Sequence, residues 1–261
     1  MSKTIGIEQN DFIVEPLTAS CRDVWESHRH VVFGVSPGNS YFNVDRLGEI
    51  LGWLRAEFRQ VDVVIPDESL RHTFQALGYD TDRAAKKAHA ETNVLRNRVI
   101  RAWDSIGGPR GCDGLHRMSE LSASPIYADS LQNCARQAYS DPGLRAACEE
   151  TTRKILASKG LDDEPAIGQI TEAMKYLVAE LPFFVSSRRI FGVEASLNFY
   201  HQPLRLANII FSGESLLKAE QGQGYATIRM ASGSADRGIQ TARTSRNNDV
   251  LPSIGLGRLR R

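Results

Sequence analysis

Val31-Val32-Phe33-Gly34-Val35 is an apolar run broken only by one glycine, the pattern of a strand buried on both faces. A tight stretch, Ser36-Pro37-Gly38-Asn39, follows it. From Ser40 to Phe58 the apolar residues Phe42, Leu47, Ile50, Leu51, Leu54 and Phe58 recur at helical spacing. Val61-Asp62-Val63-Val64-Ile65 is a second short run rich in β-branched residues, closed by Pro66, and a helical pattern resumes at Leu70. Strand, helix, strand, helix at these lengths predicts a βαβ unit, hence a parallel sheet with right-handed crossovers.

From Ser124 onward the pattern is mostly helical. Asp141-Pro142 opens one helix by the cap-then-proline rule, and Gly160 lies just past its expected end. Pro165 opens another, which Pro182 is expected to stop. Between Ile190 and Tyr200, Ala195, Leu197 and Phe199 alternate with Ser196, Asn198 and Tyr200, which predicts a late strand. Residues 213–261 are rich in Gly, Ser and Arg and carry no sustained periodicity. The expected organisation is one α/β domain over residues 1–212 and a mobile tail over 213–261.

With 261 residues, 41% of them hydrophobic, the chain is large enough for one full core. A formal net charge of +1 gives no global attraction to polyanions, so a nucleic-acid site has to be local. Cys21, Cys112, Cys134 and Cys148 form no C-x-x-C pair and no apolar leader precedes them, so reduced thiols in a cytoplasm are the expectation. No apolar run is long enough for a membrane span. His28-Arg29-His30 is an H-x-H pair with no further ligand spacing, so no metal site is expected.

Three features bear on chemistry. Gly34-Val35-Ser36-Pro37-Gly38 satisfies G-x-S-x-G, the nucleophile elbow of serine hydrolases, but Pro37 removes the N–H that would complete an oxyanion hole. The same residues also read as a turn with Ser36, Asn39 and Ser40 as helix caps, or as a phosphate cradle, although no G-x-x-x-x-G-K or G-x-G-x-x-G is present. Second, in the segment from Asp82 to Trp103, Arg83, Lys86, Lys87, Arg98 and Arg101 fall within about a third of the helical wheel. Ala84, Ala85, Ala88, Leu95, Val99, Ala102 and Trp103 take the other side. Such a face is either plain solvated surface or a phosphate-binding surface, and like charges with few partners favour a polyanion. Third, Tyr176 and Glu180 stand at i and i+4 among apolar neighbours, so Glu180 needs a cation, either Arg188 or Arg189 or the ammonium of a ligand. Tyr200 and His201 follow on the late strand.

Taken in order, Gly34-Val35-Ser36-Pro37-Gly38-Asn39-Ser40-Tyr41-Phe42, then Tyr176-x-x-x-Glu180-Leu181-Pro182, then Tyr200-His201, the chain resembles the cyclodipeptide synthases. These enzymes join amino acids from two aminoacyl-tRNAs into a diketopiperazine. Asn39, Tyr200 and His201 are similar to the set found in one of the family's two subfamilies. The resemblance implies a single Rossmann-type domain, its parallel sheet flanked by helices, like the catalytic domain of class I tyrosyl- and tryptophanyl-tRNA synthetases. It implies no ATP site and no cofactor. Ser36 would carry the first aminoacyl group, Glu180 with Tyr176 would hold its ammonium, and Tyr176 would relay a proton at ring closure. Gly34 and Tyr200 would position the reacting carbonyl, and Asn39 and His201 would shape the serine loop. The aminoacyl pocket would be lined by Val32, Gly34, Val64, Phe183 and Asn198. The basic helix would bind tRNA, and no membrane, DNA or obligate protein partner is expected. A serine esterase and a non-catalytic RNA-binding protein are the alternatives.

Overall fold

The computed structural model describes residues 7–9, 12–161 and 164–230. Strands β1 (Ile7–Gln9), β2 (Phe12–Pro16), β3 (His30–Gly34), β4 (Gln60–Ile65), β5 (Gly114–Arg117), β6 (Ser196–Tyr200) and β7 (Gln223–Met230) form one sheet in the order β1-β2-β7-β6-β3-β4-β5. The five strands from β7 to β5 are parallel to their neighbours, and β2 and β1 close one edge antiparallel. The helices are α1 (Ala19–Glu26), α2 (Val44–Glu57), α3 (Arg71–Ala76), α4 (Thr81–Ser105), α5 (Met118–Ser122), α6 (Pro125–Ser140), α7 (Pro142–Ser158), α8 (Ile167–Ile190) and α9 (Arg205–Ser212). The α/β architecture with a mostly parallel sheet is the one the sequence predicts.

Period-2 alternation in the strands sorts the core into two layers. Val31, Phe33, Val61, Val63, Leu197 and Phe199 pack with Trp25, Trp53, Leu95 and Val99 from α1, α2 and α4. Val32 and Val64 point the other way and meet Met118, Tyr127 and Phe183. Both layers are buried, which is why β3 and β4 read as mostly apolar on both faces. Asp62, buried in β4, accepts hydrogen bonds from His30, His116 and Gln60 at 2.7–2.8 Å, and His30 also bonds Ser196 at 2.8 Å. Burial opposes ionisation of Asp62, but the hydrogen bonds win and hold its carboxyl below the usual carboxylate range. His30 thereby ties β3 to β4 and β6, and His28 bonds the Glu57 carbonyl at 2.9 Å.

Four sequence expectations are corrected. Helix α2 starts at Val44, not Ser40, because Asn43 supplies the cap, its side chain accepting from Arg46 N at 3.0 Å. Pro182 does not stop its helix: α8 runs to Ile190 with non-helical backbone at Ser186. The Phe183 carbonyl beside this irregularity is met by Ser187 Oγ at 2.5 Å and Asn198 Nδ2 at 2.6 Å. Ala85 is exposed rather than packed. Finally, residues 213–230 are not a tail. Asp141 accepts from Ser215 Oγ at 2.8 Å and Leu216 N at 2.9 Å, and β7 then enters the sheet between β2 and β6. The rest of the expected tail, 231–261, lies outside the described residues.

Candidate active site

Strand order reverses at β3: the chain continues outward to β4 and β5 on one side, while β6 and β7 are added on the other. Open α/β sheets bind ligands at the carboxyl ends of strands beside such a switch point. A cavity of about 500 Å³ lies there, lined by Gly34 at the end of β3 and Ser36 after it, Val64 on β4 and Pro66 after it, and Asn198 and Tyr200 on β6. Val32, Asn39, Tyr176, Glu180 and Phe183 complete the predicted set within its wall, and Met118, Lys159, Gln202 and Tyr225 join them. His201 does not line it. Its ring stacks on Tyr41 at 4.3 Å and meets Phe42 edge-on at 5.0 Å, behind the serine loop. Burial, aided by Arg46, lowers its pKa to about 4, so it packs there as a neutral ring.

Ser36 Oγ lies 2.8 Å from Tyr200 Oη. Burial raises the Tyr200 hydroxyl to about 12, so it stays neutral at ordinary pH. Gly34 permits this approach: a Cβ there would sit 3.3 Å from Tyr200 Cδ2. Asn39 acts on the loop itself, its N–H bonding Ser36 O at 3.3 Å and its Oδ1 accepting from Tyr41 N at 2.9 Å. Among the described residues, the hydroxyl of Ser36 meets a tyrosine and no histidine, unlike the nucleophile of a serine hydrolase.

Glu180 is raised to about 7, mainly by burial, while a hydrogen bond from Tyr176 opposes the shift. It is part-exposed and lines the cavity, yet the protein around it is dense enough to strip the carboxylate of much of its bulk water. Among the described residues no cation pairs with it. Neither of the candidates Arg188 and Arg189 forms an ion pair with it among the described residues, and Arg189 is engaged by Glu220 at 3.2 Å, so the private salt bridge the sequence left open is not made. Burial first, then the negative Glu180, push the Tyr176 hydroxyl well above its ordinary range. The Asn198 amide, expected to mark the pocket, donates instead to the Phe183 carbonyl.

Of the basic face on α4, Arg83, Lys86 and Arg101 are exposed, while Lys87 and Arg98 are half-buried. Lys87 Nζ lies 4.8 Å from the Tyr79 ring, and Arg98 donates to the Phe42 carbonyl at 3.5 Å. None of the five has a carboxylate partner among the salt bridges of the described residues. From Arg83 to Arg101 the face runs about 27 Å.

The cyclodipeptide synthase family model matches residues 12–230, so the chain belongs to that family. Cyclo(L-tyrosyl-L-tyrosyl) synthase of Mycobacterium tuberculosis is 33% identical over 223 residues, covering 84% of this chain and 76% of that protein. Cyclo(L-leucyl-L-leucyl) synthase of Bacillus subtilis is 30% identical, covering 84% and 89%. Among solved structures, one from M. tuberculosis superposes with a TM-score of 0.76 at 31% identity, covering 88% of this chain and 99% of that one. Its description relates cyclodipeptide synthetases to type I tRNA synthetases. A cyclodipeptide synthase from Bacillus thermoamylovorans gives a TM-score of 0.78 at 26% identity, covering 85% and 97%. The matched span, like β7, ends at Met230, so residues 213–230 belong to the family's match. Among the described residues no helix is long and apolar enough to cross a membrane.

Proposed function

We propose that this enzyme makes a cyclic dipeptide from two aminoacyl-tRNAs by way of an aminoacyl ester on Ser36. The observation that carries the reading is a carboxylate, Glu180, with no cationic partner among the described residues, in the same cavity as a hydroxyl held by a neutral tyrosine. A buried carboxylate of that kind calls for a cationic ligand group, and the α-ammonium of an amino acid supplies one. Ser36 Oγ attacks the ester carbonyl, the bond to the tRNA 3′-oxygen breaks, and that oxygen leaves with the serine proton. A neutral tyrosine cannot act as the base, so proton transfer to the leaving oxygen balances the step. The amine of the second aminoacyl-tRNA then takes the acyl group from Ser36. That attack frees the serine and leaves a dipeptidyl-tRNA; Ser36 Oγ then attacks the dipeptidyl ester and the second tRNA leaves through its 3′-oxygen. The free amine finally attacks the dipeptidyl ester on Ser36, which closes the ring and releases the serine hydroxyl. Tyr176, hydrogen-bonded to Glu180, is placed to relay the proton at closure.

Asn39, Tyr200 and His201 match the residue set of the family's Asn/Tyr/His subfamily, which supports assigning the chain to it. In this reading Val32, Val64 and Phe183 receive the first side chain against an apolar wall suited to hydrophobic or aromatic amino acids. Arg83, Lys86, Lys87, Arg98 and Arg101 receive tRNA phosphates, which adds salt-dependent affinity without sequence reading. Incubation with a mixture of charged tRNAs and no ATP tests the reading. The expected results are a diketopiperazine by mass spectrometry and an acid-stable aminoacyl adduct on Ser36, both lost in Ser36→Ala. Turnover of simple esters without a cyclic product would make it an esterase, and tRNA binding without any product would make it an RNA-binding protein.

A further inference from the structure

The backbone of the turn from Ser36 to Asn39 receives few hydrogen bonds from outside the loop. Its backbone bonds, Asn39 N to Ser36 O and Phe42 N to Asn39 O, are internal to it. Pro37 has no N–H, and Gly38 sits at φ +76°, a conformation only glycine adopts freely. The space a side chain would fill at Gly38 is occupied. A Cβ there would collide with Lys159 Nζ and come within 2.6 Å of Glu91 Oε2.

Those two side chains form an ion pair with each other, and Lys159 Nζ also donates to the Pro37 carbonyl at 3.4 Å. Lys159 is the C-cap of α7, Glu91 lies midway along α4, and the Phe74 ring of α3 stands 5.6 Å from the ammonium. The Lys159 side chain is 15% exposed and that of Glu91 32%, so the pair is largely shielded. Glu91 therefore does not serve to neutralise the basic face of α4; its charge is spent on Lys159. Pairs such as Lys154–Glu150 and Lys175–Glu172 stay within one helix, whereas this one joins two helices to the serine loop.

We propose that Glu91 and Lys159 are positioning residues that hold the Pro37 carbonyl and so fix Ser36 Oγ against Tyr200. The inference rests on Ser36 being the acyl acceptor. Glu91 orients the ammonium, the ammonium holds the carbonyl, and the missing side chain at Gly38 is what admits them.

The test compares Glu91→Gln, Lys159→Met and the double variant with wild type. Three quantities are read: the single-turnover rate of aminoacyl transfer to Ser36 at saturating charged tRNA, KM for that tRNA, and hydrogen exchange of the amides from Gly38 to Phe42. Melting temperature serves as the control for folding. Each single change is expected to slow transfer roughly 10- to 100-fold, the size expected when a reacting group is displaced by about 1 Å. KM stays within about twofold, exchange in the loop speeds up, and the double variant is no slower than the singles because both break one unit. Were these charges acting on tRNA instead, the effects would lie in KM and run in opposite directions, tighter for Glu91→Gln and weaker for Lys159→Met. That result, wild-type transfer in both singles, or multiplied effects in the double overturns the proposal. If wild type acquires no acyl group on Ser36, the function reading falls, and unchanged loop exchange in Glu91→Gln would then overturn the clamp on its own.

Discussion

Replacing Glu180 with glutamine separates a carboxylate that binds substrate from one that merely fills space. Its pKa stands at about 7 against an ordinary 4.5, raised by burial. At 1.36 kcal/mol per unit this difference is about 3 kcal/mol, the cost of ionising the group in an empty cavity. An ammonium entering the site removes that penalty, so aminoacyl loading should track the ionised fraction of Glu180. That fraction is roughly one tenth at about pH 6 and nine tenths at about pH 8, so loading should fall about ninefold between them. Titration of the substrate amine, at about 7.7–8.0, adds a limb on the alkaline side. In Glu180→Gln the acid limb disappears. The rate at its maximum should drop about 10²- to 10³-fold, because an ammonium is left in a desolvated site without its partner. Acid-quenched transfer of a radiolabelled amino acid from tRNA to the enzyme measures both quantities. The sign for stability runs the other way. A raised carboxyl stabilises the empty fold below about pH 4.5, and that contribution is lost as pH rises through about 7. The glutamine variant should therefore melt higher than wild type at about pH 8 and equally near about pH 4.5. A flat loading profile across this range, or an unchanged acid limb in the variant, refutes the reasoning.

Tyr200→Phe removes the partner 2.8 Å from Ser36 Oγ, and loading should slow about 10- to 100-fold with little change in tRNA affinity; unaltered rates would show that the contact has no part in the reaction. Neutralising Arg83, Lys86 and Arg101, the exposed cations of α4, should weaken tRNA binding and reduce the slope of log K against log salt by about 2–3 in a filter-binding titration. Asp62→Asn deprives two histidines of a charged acceptor in the core and should cost about 3 kcal/mol in urea unfolding. Wild-type Asp62 should lose its contribution as pH falls below the ordinary carboxylate range, because its pKa is held below that range.

The parallel core was legible because β3 and β4 carry short runs of apolar, mostly β-branched residues, interrupted in β4 only by Asp62 after Val61. Ser36, Tyr176, Glu180 and Tyr200 were legible as one set through the family pattern. Strand β7 was not, for a physical reason. Its first residues, Gln223 and Gly224, look polar and permissive, yet Gln223 is buried, and a Cβ on Gly224 would meet Leu197 Cδ1 at 2.7 Å and Val24 Cβ at 3.1 Å. Glycine is there so that α1 can press on the sheet, and a strand buried on both faces shows no alternation to read. The continuity of α8 past Pro182 was hidden because side chains distant in sequence, Asn198 among them, satisfy the backbone around the break. The pairing of Glu91 with Lys159 joins residues 68 positions apart and leaves no mark on a helical wheel.

A tyrosine that keeps its proton up to about pH 12 lends its neighbouring alcohol almost no basicity. In the reaction proposed here, Ser36 is then about as reluctant an attacker as any free hydroxyl, and unstrained amides and plain esters would pass it by. Reactivity has to arrive with the acyl donor, so selectivity is exercised by the energy of the incoming bond as much as by the shape of the cavity.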